Sequence, residues 1–229
     1  DTVVIQKAGD VIPEVDRVLV EKRDGTEKEF EVPTICPVCG EELEKEDAEV
    51  ALRCTNSECP AQLYRSITHF VSRDCMDVSG MGDAIVETLI EKEFLKDVAD
   101  IYYLKYDDVY SLEGFKEKSA ENIMSAIEAT KNNSLDKLLF GLGIRHIGKK
   151  ASKILAQSFD DIYAIKEASI EELSALEDFG NIMAVSVYNF FKKEETDKII
   201  EKLRVAGVNL KGHKEEKKSE ILKDKVLCV

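Results

Sequence analysis

From about residue 65 to residue 205 the apolar positions recur at helical spacing, and they do so in four matched blocks. Aligned on a turn, the blocks are VSGMGDAIVETLI (78–90), LEGFKEKSAENIM (112–124), IRHIGKKASKILA (144–156) and LEDFGNIMAVSVY (176–188). Successive blocks begin 34, 32 and 32 residues apart. A fixed period near thirty with matched apolar positions indicates a tandemly repeated supersecondary unit.

Each block has the same internal spacing. It opens on an apolar residue, has a second one three positions later and a third eleven positions after the first. These sets are Val78, Leu112, Ile144 and Leu176; Met81, Phe115, Ile147 and Phe179; and Leu89, Ile123, Leu155 and Val187. Glycines after the second apolar position suit a tight turn, and the following residues begin a new helix. The pattern predicts four helix-hairpin-helix units; a helical bundle with no binding role is the alternative interpretation.

Residues 1–33 have a different, alternating pattern that predicts β-strands. TVVIQ alternates, Gly9 and Asp10 form a turn, and RVLVEKRDGTEKEFEV (17–32) predicts a hairpin with Asp24-Gly25 at its tip. Because a segment this short cannot close a β-barrel, we expect residues 1–33 to be the tail of a larger β domain. Residues 206–225 are charged and predict a linker or an exposed helix. We expect both ends to continue into a longer protein.

The cysteines provide the strongest chemical pattern. Cys36 and Cys39 are separated by two residues, fourteen residues follow, and Cys54 and Cys59 are separated by four. Four thiolates at this spacing suit tetrahedral Zn²⁺ with every position filled, which predicts a structural site rather than a catalytic one. A redox Cys-x-x-Cys is the alternative, but it needs no second pair. Cys75 and Cys228 are expected to be buried free thiols.

The charge of the chain limits where it could bind an anionic partner. It has 46 acidic and 32 basic residues, with a formal net charge of -14. This argues against a surface covered in DNA-binding charge, but a small basic footprint remains compatible with it. GIRHIGKKASK (143–153) has four Lys or Arg residues and no acid. No apolar run approaches the ~18 residues of a membrane helix, so we expect no membrane partner.

A turn that leads into a helix N-terminus presents backbone N–H groups and the positive end of the helix dipole, an arrangement that binds anions such as DNA phosphates. Nearby lysines favour the second and third hairpins as DNA contacts; flanking acids make the first a weaker candidate and the fourth mainly structural. The predicted DNA-binding residues are Gly80, Gly82, Gly114, Lys116, Lys118, Arg145, His146, Gly148, Lys149 and Lys150. His146 either touches a phosphate or tolerates an unusual backbone angle in the turn.

The ordered set of motifs resembles the C-terminal half of the bacterial NAD-dependent DNA ligases, over nearly the whole chain. KAGDVIP (7–13) is similar to the end of that family's OB domain, and CPVCG with RCTNSECPAQ (36–62) to its zinc finger. GFKEKSAENI (114–123) and GIRHIGKKAS (143–152) are similar to its second and third hairpins, and KVLCV (225–229) to the first strand of its BRCT-type domain.

This resemblance implies a mainly α fold: a tandem helix-hairpin-helix domain with a small four-cysteine zinc finger and a partial OB-type β segment at the N-terminus. The expected domains are residues 1–33 (end of the OB domain), 34–62 (zinc finger), 63–205 (four hairpin units) and 206–229 (linker and start of the BRCT domain).

The resemblance also implies an enzyme that seals nicks in duplex DNA. In this family a lysine is adenylated from NAD⁺, AMP passes to the 5′-phosphate at the nick, and the 3′-hydroxyl displaces it with Mg²⁺ present. Lys7 lacks the family's K-x-D-G surroundings, so no catalytic residue is assigned and the chain alone is expected to be inactive. It is expected to clamp nicked duplex DNA at the backbone and minor groove, as a monomer in the cytoplasm near the nucleoid.

Two other interpretations remain open at this point. The first is a non-catalytic repair or recombination scaffold, which would combine zinc and hairpins in the same way. The KAGDVIP stretch ahead of the zinc cysteines favours the ligase over this scaffold. The second is a zinc-ribbon module that binds protein, and absence of DNA binding would favour it.

Overall fold

The computed structural model describes residues 1–9, 11–45, 51–56 and 59–213. The chain divides into two compact units, with the division between Thr55 and Asn56. The first contains the described strands, and the second is built from helices. The mainly α fold that the sequence predicts is therefore confirmed.

The first unit consists of two small antiparallel sheets and a short 3-10 helix at Val20–Lys22. Strands β1 (Val3–Ala8) and β2 (Ile12–Val18) form a hairpin, and Gly9 in their turn has a φ of +66°. The short strands β3 (Leu43–Glu44) and β4 (Arg53–Cys54) pair within the cysteine-rich segment. All seven residues of β2 are exposed, so this unit has little core of its own.

The second predicted hairpin, with its tip at Asp24, is wrong: residues 20–34, all of which are described, form no strand. Local side chains take up the turn's hydrogen bonds instead. The Asp24 carboxylate accepts from the N–H and hydroxyl of Thr26, and Glu27 accepts from the Asp24 N–H. Phe30 is 79% exposed. Apolar alternation cannot fix a strand where there is no core for its side chains to pack on.

The second unit is helical from Pro60 onward. Its helices are α1 (Pro60–Val71), α2 (Asp83–Glu91), α3 (Tyr106–Tyr110), α4 (Glu117–Thr130), α5 (Leu135–Gly141), α6 (Lys149–Ser158), α7 (Ile162–Glu167), α8 (Ile170–Ser174), α9 (Asn181–Phe191) and α10 (Glu194–Val205), with a 3-10 helix at Val98–Tyr103. Local capping explains several starts. At α8, for example, Ser169 and Glu172 exchange side-chain and backbone hydrogen bonds in a capping box.

One continuous hydrophobic core joins the helices of this unit. The third apolar position of every block lies in it, with Leu89, Leu155 and Val187 fully buried and Ile123 2% exposed. A partly buried ion pair ties α10 to the 3-10 helix, because the Lys202 ammonium contacts Asp97 at 2.6 Å and Asp100 at 2.8 Å. Burial of these matched positions is what holds the repeated units against each other.

The sequence predicts a linker or an exposed helix from residue 206, but its first part packs onto the helices. Val208 and Leu210 are buried. The carbonyl of Leu210 accepts from the N–H of Ile162 at 3.0 Å, and the N–H of Asn209 donates to the carbonyl of Lys131 at 2.8 Å. The predicted strand at 225–229 lies outside the described residues.

All four predicted turns share one backbone geometry. In each, the N–H of the fourth residue donates to the carbonyl of the first, at 3.1, 3.1, 3.0 and 3.1 Å along the chain. The third residue always has a positive φ: Gly80 (+91°), Gly114 (+79°), His146 (+62°) and Asp178 (+58°). The fifth is the extended residue that precedes the next helix: Gly82, Lys116, Gly148 and Gly180. A positive φ at the third position is the requirement of a type II turn.

We expect Gly114→Ala to lower the free energy of unfolding by about 1–2 kcal/mol, the cost of placing a Cβ in the left-handed region. No atom outside the neighbouring residues lies within 4 Å of the added Cβ, so the substitution isolates backbone strain from steric overlap. Gly114→Asn is the matched control, because asparagine tolerates this conformation. Urea denaturation of the three proteins measures the difference. Equal losses for Ala and Asn would contradict the turn assignment.

Candidate nucleic-acid interface and metal centre

The first pair of metal-ligand candidates lies on a tight turn. The N–H of Cys36 donates to the carbonyl of Glu41 at 2.7 Å, and the N–H of Gly40 donates to the carbonyl of Cys36 at 2.9 Å. Gly40 has a φ of +78°, which a residue with a side chain rarely adopts. The backbone is thus bent so that Cys36 and Cys39 lie on one turn.

The second pair is positioned by a strand and by a helix start. Cys54 lies in β4, where it pairs with Leu43 of β3. Cys59 is the residue before α1, and its carbonyl accepts from the N–H groups of Gln62 and Leu63. Pro60 starts the helix, a position that a residue without an N–H suits.

The four sulfur atoms come together as the spacing predicts. The Sγ atoms of Cys36, Cys39, Cys54 and Cys59 all lie within 4.8 Å of one another, and those of Cys39 and Cys54 are 3.5 Å apart. Tetrahedral zinc with Zn–S bonds of about 2.3 Å separates its sulfur ligands by about 3.8 Å. The cluster therefore fits a four-thiolate zinc ion.

The surroundings of Cys36 favour the thiolate that a metal requires. The backbone N–H groups of Cys39 and Val38 donate to its sulfur and lower the pKa of the Cys36 thiol to about 6. A sulfur that already accepts amide hydrogen bonds loses its proton more readily. The turn thus both positions the Cys36 sulfur and favours its deprotonated form.

Cys75 lies apart from this cluster and is fully buried. Burial raises the pKa of its thiol, and its sulfur lies 3.5 Å from Nε2 of His69. That nitrogen is 2.8 Å from the carbonyl oxygen of Phe140, a partner 71 residues away that no local pattern indicates. The prediction of a buried free thiol is confirmed for Cys75, and Cys228 lies outside the described residues.

The N-termini of the hairpin helices have backbone N–H groups to offer. The first N–H groups of any helix lack an intrahelical acceptor. At α2, α6 and α9 the preceding residue is glycine, which has no side chain to cap them. These N–H groups and the helix dipole remain for an external anion, as the sequence suggests for Gly82 and Gly148.

The third hairpin adds positive charge to this arrangement. Lys149 and Lys150 are the first two residues of α6 and both are exposed, whereas Arg145 in the turn is half-buried. His146 is exposed at the positive-φ position, which supports its interpretation as a turn residue. Lysines next to helix N–H groups suit a phosphate group.

The second hairpin has a similar but simpler arrangement. Lys116 is the residue before α4 and Lys118 is in its first turn, and both are exposed. Ser119 caps the helix by accepting from the Lys116 N–H at 2.8 Å. Gly114 supplies the positive φ. Its two exposed lysines lie among acids, since Glu113 is in the turn and Glu117 stands between them.

The first and fourth hairpins present acids next to their turns and no lysine within them. Asp77 and Asp83 flank Gly80 and Gly82 in the first, and Glu177 and Asp178 lie within the fourth turn; all four acids are exposed. Carboxylates repel a phosphate group, so the backbone geometry alone does not make these turns equivalent to the second and third.

The structure also shows ion pairs that sequence analysis missed. The Lys150 ammonium lies 2.6 Å from the carboxylate of Asp178 in the fourth turn. The Lys149 ammonium contacts Asp74 in the loop before the first turn. Partners 28 and 75 residues away along the chain give no local signal. The ammonium group lowers the pKa of the Asp178 carboxyl and the carboxylate raises the pKa of Lys150, so both groups stay charged at neutral pH.

Within the described part of the chain, no helix combines the length and the hydrophobicity that crossing a lipid bilayer requires.

Three family models match the chain. Residues 36–61 match the C4 zinc finger domain of NAD-dependent DNA ligases. Residues 72–129 match a SAM-like helix-hairpin-helix tandem, and residues 137–200 match a helix-hairpin-helix motif. The first of these two contains the first and second turns, and the other contains the third and fourth.

Curated proteins similar to this chain carry the name DNA ligase. The chain is 53% identical over 226 residues to the one from Caldicellulosiruptor bescii, covering 97% of this chain and 33% of the relative. It is 49% identical over 219 residues to the one from Bacillus subtilis, covering 95% and 33%. It is 47% identical over 228 residues to the one from Clostridioides difficile, covering 97% of this chain and 34% of the relative.

The chain spans about a third of the length of the curated relatives it matches. The OB and BRCT assignments stay predictions, since none of the three family models covers those segments. The ligase-type finger, the two helix-hairpin-helix matches and the relatives agree with one another. The chain belongs to the bacterial DNA ligase family, as the zinc-finger and helix-hairpin-helix portion of such a protein.

Proposed function

We propose that this chain is the DNA-clamping part of an NAD-dependent DNA ligase, which seals nicks in duplex DNA by transferring adenylate to the 5′-phosphate. The proposal rests on the features that the second and third hairpins share. Each combines a type II turn, the start of a helix directly after it and two exposed lysines beside that start. Adenylation takes place outside this portion, which has no catalytic residue of its own, and the chain alone is inactive.

The chemistry of these contacts matches what a ligase needs. Backbone N–H groups and lysine ammonium groups bind phosphate oxygens, which are the same in every DNA sequence. An enzyme that seals nicks in any sequence must bind the DNA backbone without recognising particular bases. Two phosphate clamps on one helical unit with a continuous core suit the two sides of a minor groove, so we propose minor-groove and backbone contacts to nicked duplex.

The proposed domains keep the predicted boundaries: 1–33, 34–62, 63–205 and 206–229. NAD⁺ and Mg²⁺ belong to the parent enzyme, and no residue of this chain is assigned to them. We expect the parent enzyme to act as a monomer in the bacterial cytoplasm, at the nucleoid where its substrate is. The names of the curated relatives support a ligase over a non-catalytic scaffold.

For the cysteine cluster we propose one structural Zn²⁺, held by Cys36, Cys39, Cys54 and Cys59. The sulfur geometry and the match to a ligase C4 zinc finger support this assignment. The ion would hold together a segment whose strands β3 and β4 are only two residues long. Four protein ligands leave no position for substrate, so the ion stabilises structure and does not take part in catalysis.

We expect Lys149→Glu with Lys150→Glu to weaken DNA binding and to lower the slope of log K against log salt by about two, because each phosphate contact contributes about 0.9. Fluorescence anisotropy on nicked and intact duplexes across a salt series measures both quantities. Tighter binding of the wild type to the nicked duplex would support the ligase over a general scaffold.

The matched control is Lys192→Glu with Lys193→Glu, which changes the net charge equally. Lys192 follows the C-terminal end of α9 and Lys193 precedes α10, and neither lies in one of the four turns. The control should leave the salt slope unchanged. If instead the slope stays unchanged in the Lys149 and Lys150 variant, the third hairpin is not a phosphate contact.

We expect Cys54→Ser to release the zinc ion and to make residues 34–62 sensitive to proteases, since folding of such a segment depends on metal binding. The wild type should contain one zinc ion per chain by elemental analysis. Cys75→Ser is the control, because this cysteine lies outside the cluster and should leave zinc content unchanged. A metal-free Cys54→Ser protein that resists proteolysis as well as the wild type would argue against structural zinc.

A further inference from the structure

The two lysines at the start of α6 are each held by a carboxylate from another segment. Lys150 pairs with Asp178 at 2.6 Å, and Lys149 pairs with Asp74. Asp74 precedes the first turn and Asp178 lies within the fourth. The proposed phosphate clamp of the third hairpin is therefore occupied, in the free protein, by acids from its two neighbours.

The second hairpin differs in this respect. Among the residues that the structure describes, no carboxylate lies within ion-pair distance of Lys116 or Lys118. The two proposed DNA contacts thus have the same backbone geometry but different electrostatic states. The second hairpin offers its lysines to a phosphate directly, and the third does not.

The carboxylate of Asp178 is not required by its turn. The third turn position needs only a residue that accepts a positive φ, and glycine or histidine fills it in the other three hairpins. The Asp178 carboxylate reaches out of the turn to the neighbouring hairpin instead. Because the turn does not need this carboxylate, the interaction that the structure shows for it is the ion pair with Lys150.

The pairs are open to replacement by DNA. The side chains of Lys150 and Asp178 are 79% and 61% exposed, and those of Lys149 and Asp74 are 57% and 65% exposed. Exposed ion pairs contribute little to stability. A phosphate group carries the same charge as a carboxylate and gains the N–H groups of the α6 N-terminus as well, so it can displace either acid.

We propose that Asp178 and Asp74 act as built-in competitors of DNA phosphate, which occupy Lys150 and Lys149 in the free protein and are displaced when duplex DNA binds the third hairpin. This inference rests on the proposed function, because it assumes that the third hairpin is a DNA contact. It assigns the acids of the first and fourth hairpins a role in setting DNA affinity. A loosely held clamp lets an enzyme leave its sealed product, since each competitor returns as the phosphate departs.

The test is a double-mutant cycle on DNA affinity with Asp178→Asn and Lys150→Met, at fixed salt on nicked duplex. Asparagine keeps the positive-φ turn and removes the charge. Alone, Asp178→Asn should tighten binding about two- to five-fold, the range expected when an exposed pair no longer competes. In the Lys150→Met background most of this gain should disappear, because no ammonium group is left to release. Asp74→Asn should act in the same way through Lys149.

Asp197→Asn is the matched control. Asp197 forms an ion pair with Lys166 at 2.8 Å, in which the two side chains are 49% and 28% exposed, and the substitution changes the net charge equally. Neither residue lies in a hairpin turn, so only a small, general gain in affinity is expected. Thermal denaturation of each variant checks that a change in folding does not cause the effect.

A gain for Asp178→Asn that exceeds the control and depends on Lys150 supports the inference. A gain no larger than that of Asp197→Asn, or one that persists fully without Lys150, would overturn it while the proposed function stands. If the wild type shows no salt-dependent binding, the proposed function and this inference fail together.

Discussion

The rest of this structure depends on one four-residue turn. In it the N–H of the fourth residue donates to the carbonyl of the first, and the third residue has a positive φ. It recurs at Gly80, Gly114, His146 and Asp178. Each time it reverses the chain so that the apolar residues on both sides of the turn face the same core. It also ends in an extended residue whose successor starts a helix, and thus directs a helix N-terminus toward solvent.

Because the four turns share a backbone, the side chains around them decide what each one can do. Lysines follow the second and third turns, whereas the first and fourth have acids and no lysine. The ion pairs of Lys149 and Lys150 link the hairpins, since acids near the first and fourth turns contact lysines of the third.

Periodicity was sufficient to predict the hairpins, because each apolar position that the alignment matched is needed by the core. The same holds for His146, because it occupies the repeat position where the first two hairpins have a glycine with positive φ. Cysteine spacing predicted the metal cluster for a similar reason, because the two members of each pair are close along the chain. Three features could not be predicted in this way. The strand after Asp24 is missing because alternation needs a partner surface, Leu210 is buried by distant helices, and Asp178 meets Lys150 only through tertiary packing.

The central claim is that the second and third turns, and not the fourth, touch DNA. Amide chemical shifts of the ¹⁵N-labelled chain, recorded with and without nicked duplex, test it most directly. The account predicts large shifts at residues 112–118 and 144–150, with small ones at 176–180 where Asp178 is only released. Large shifts confined to residues 176–180, with none around Gly114 and Gly148, would contradict it.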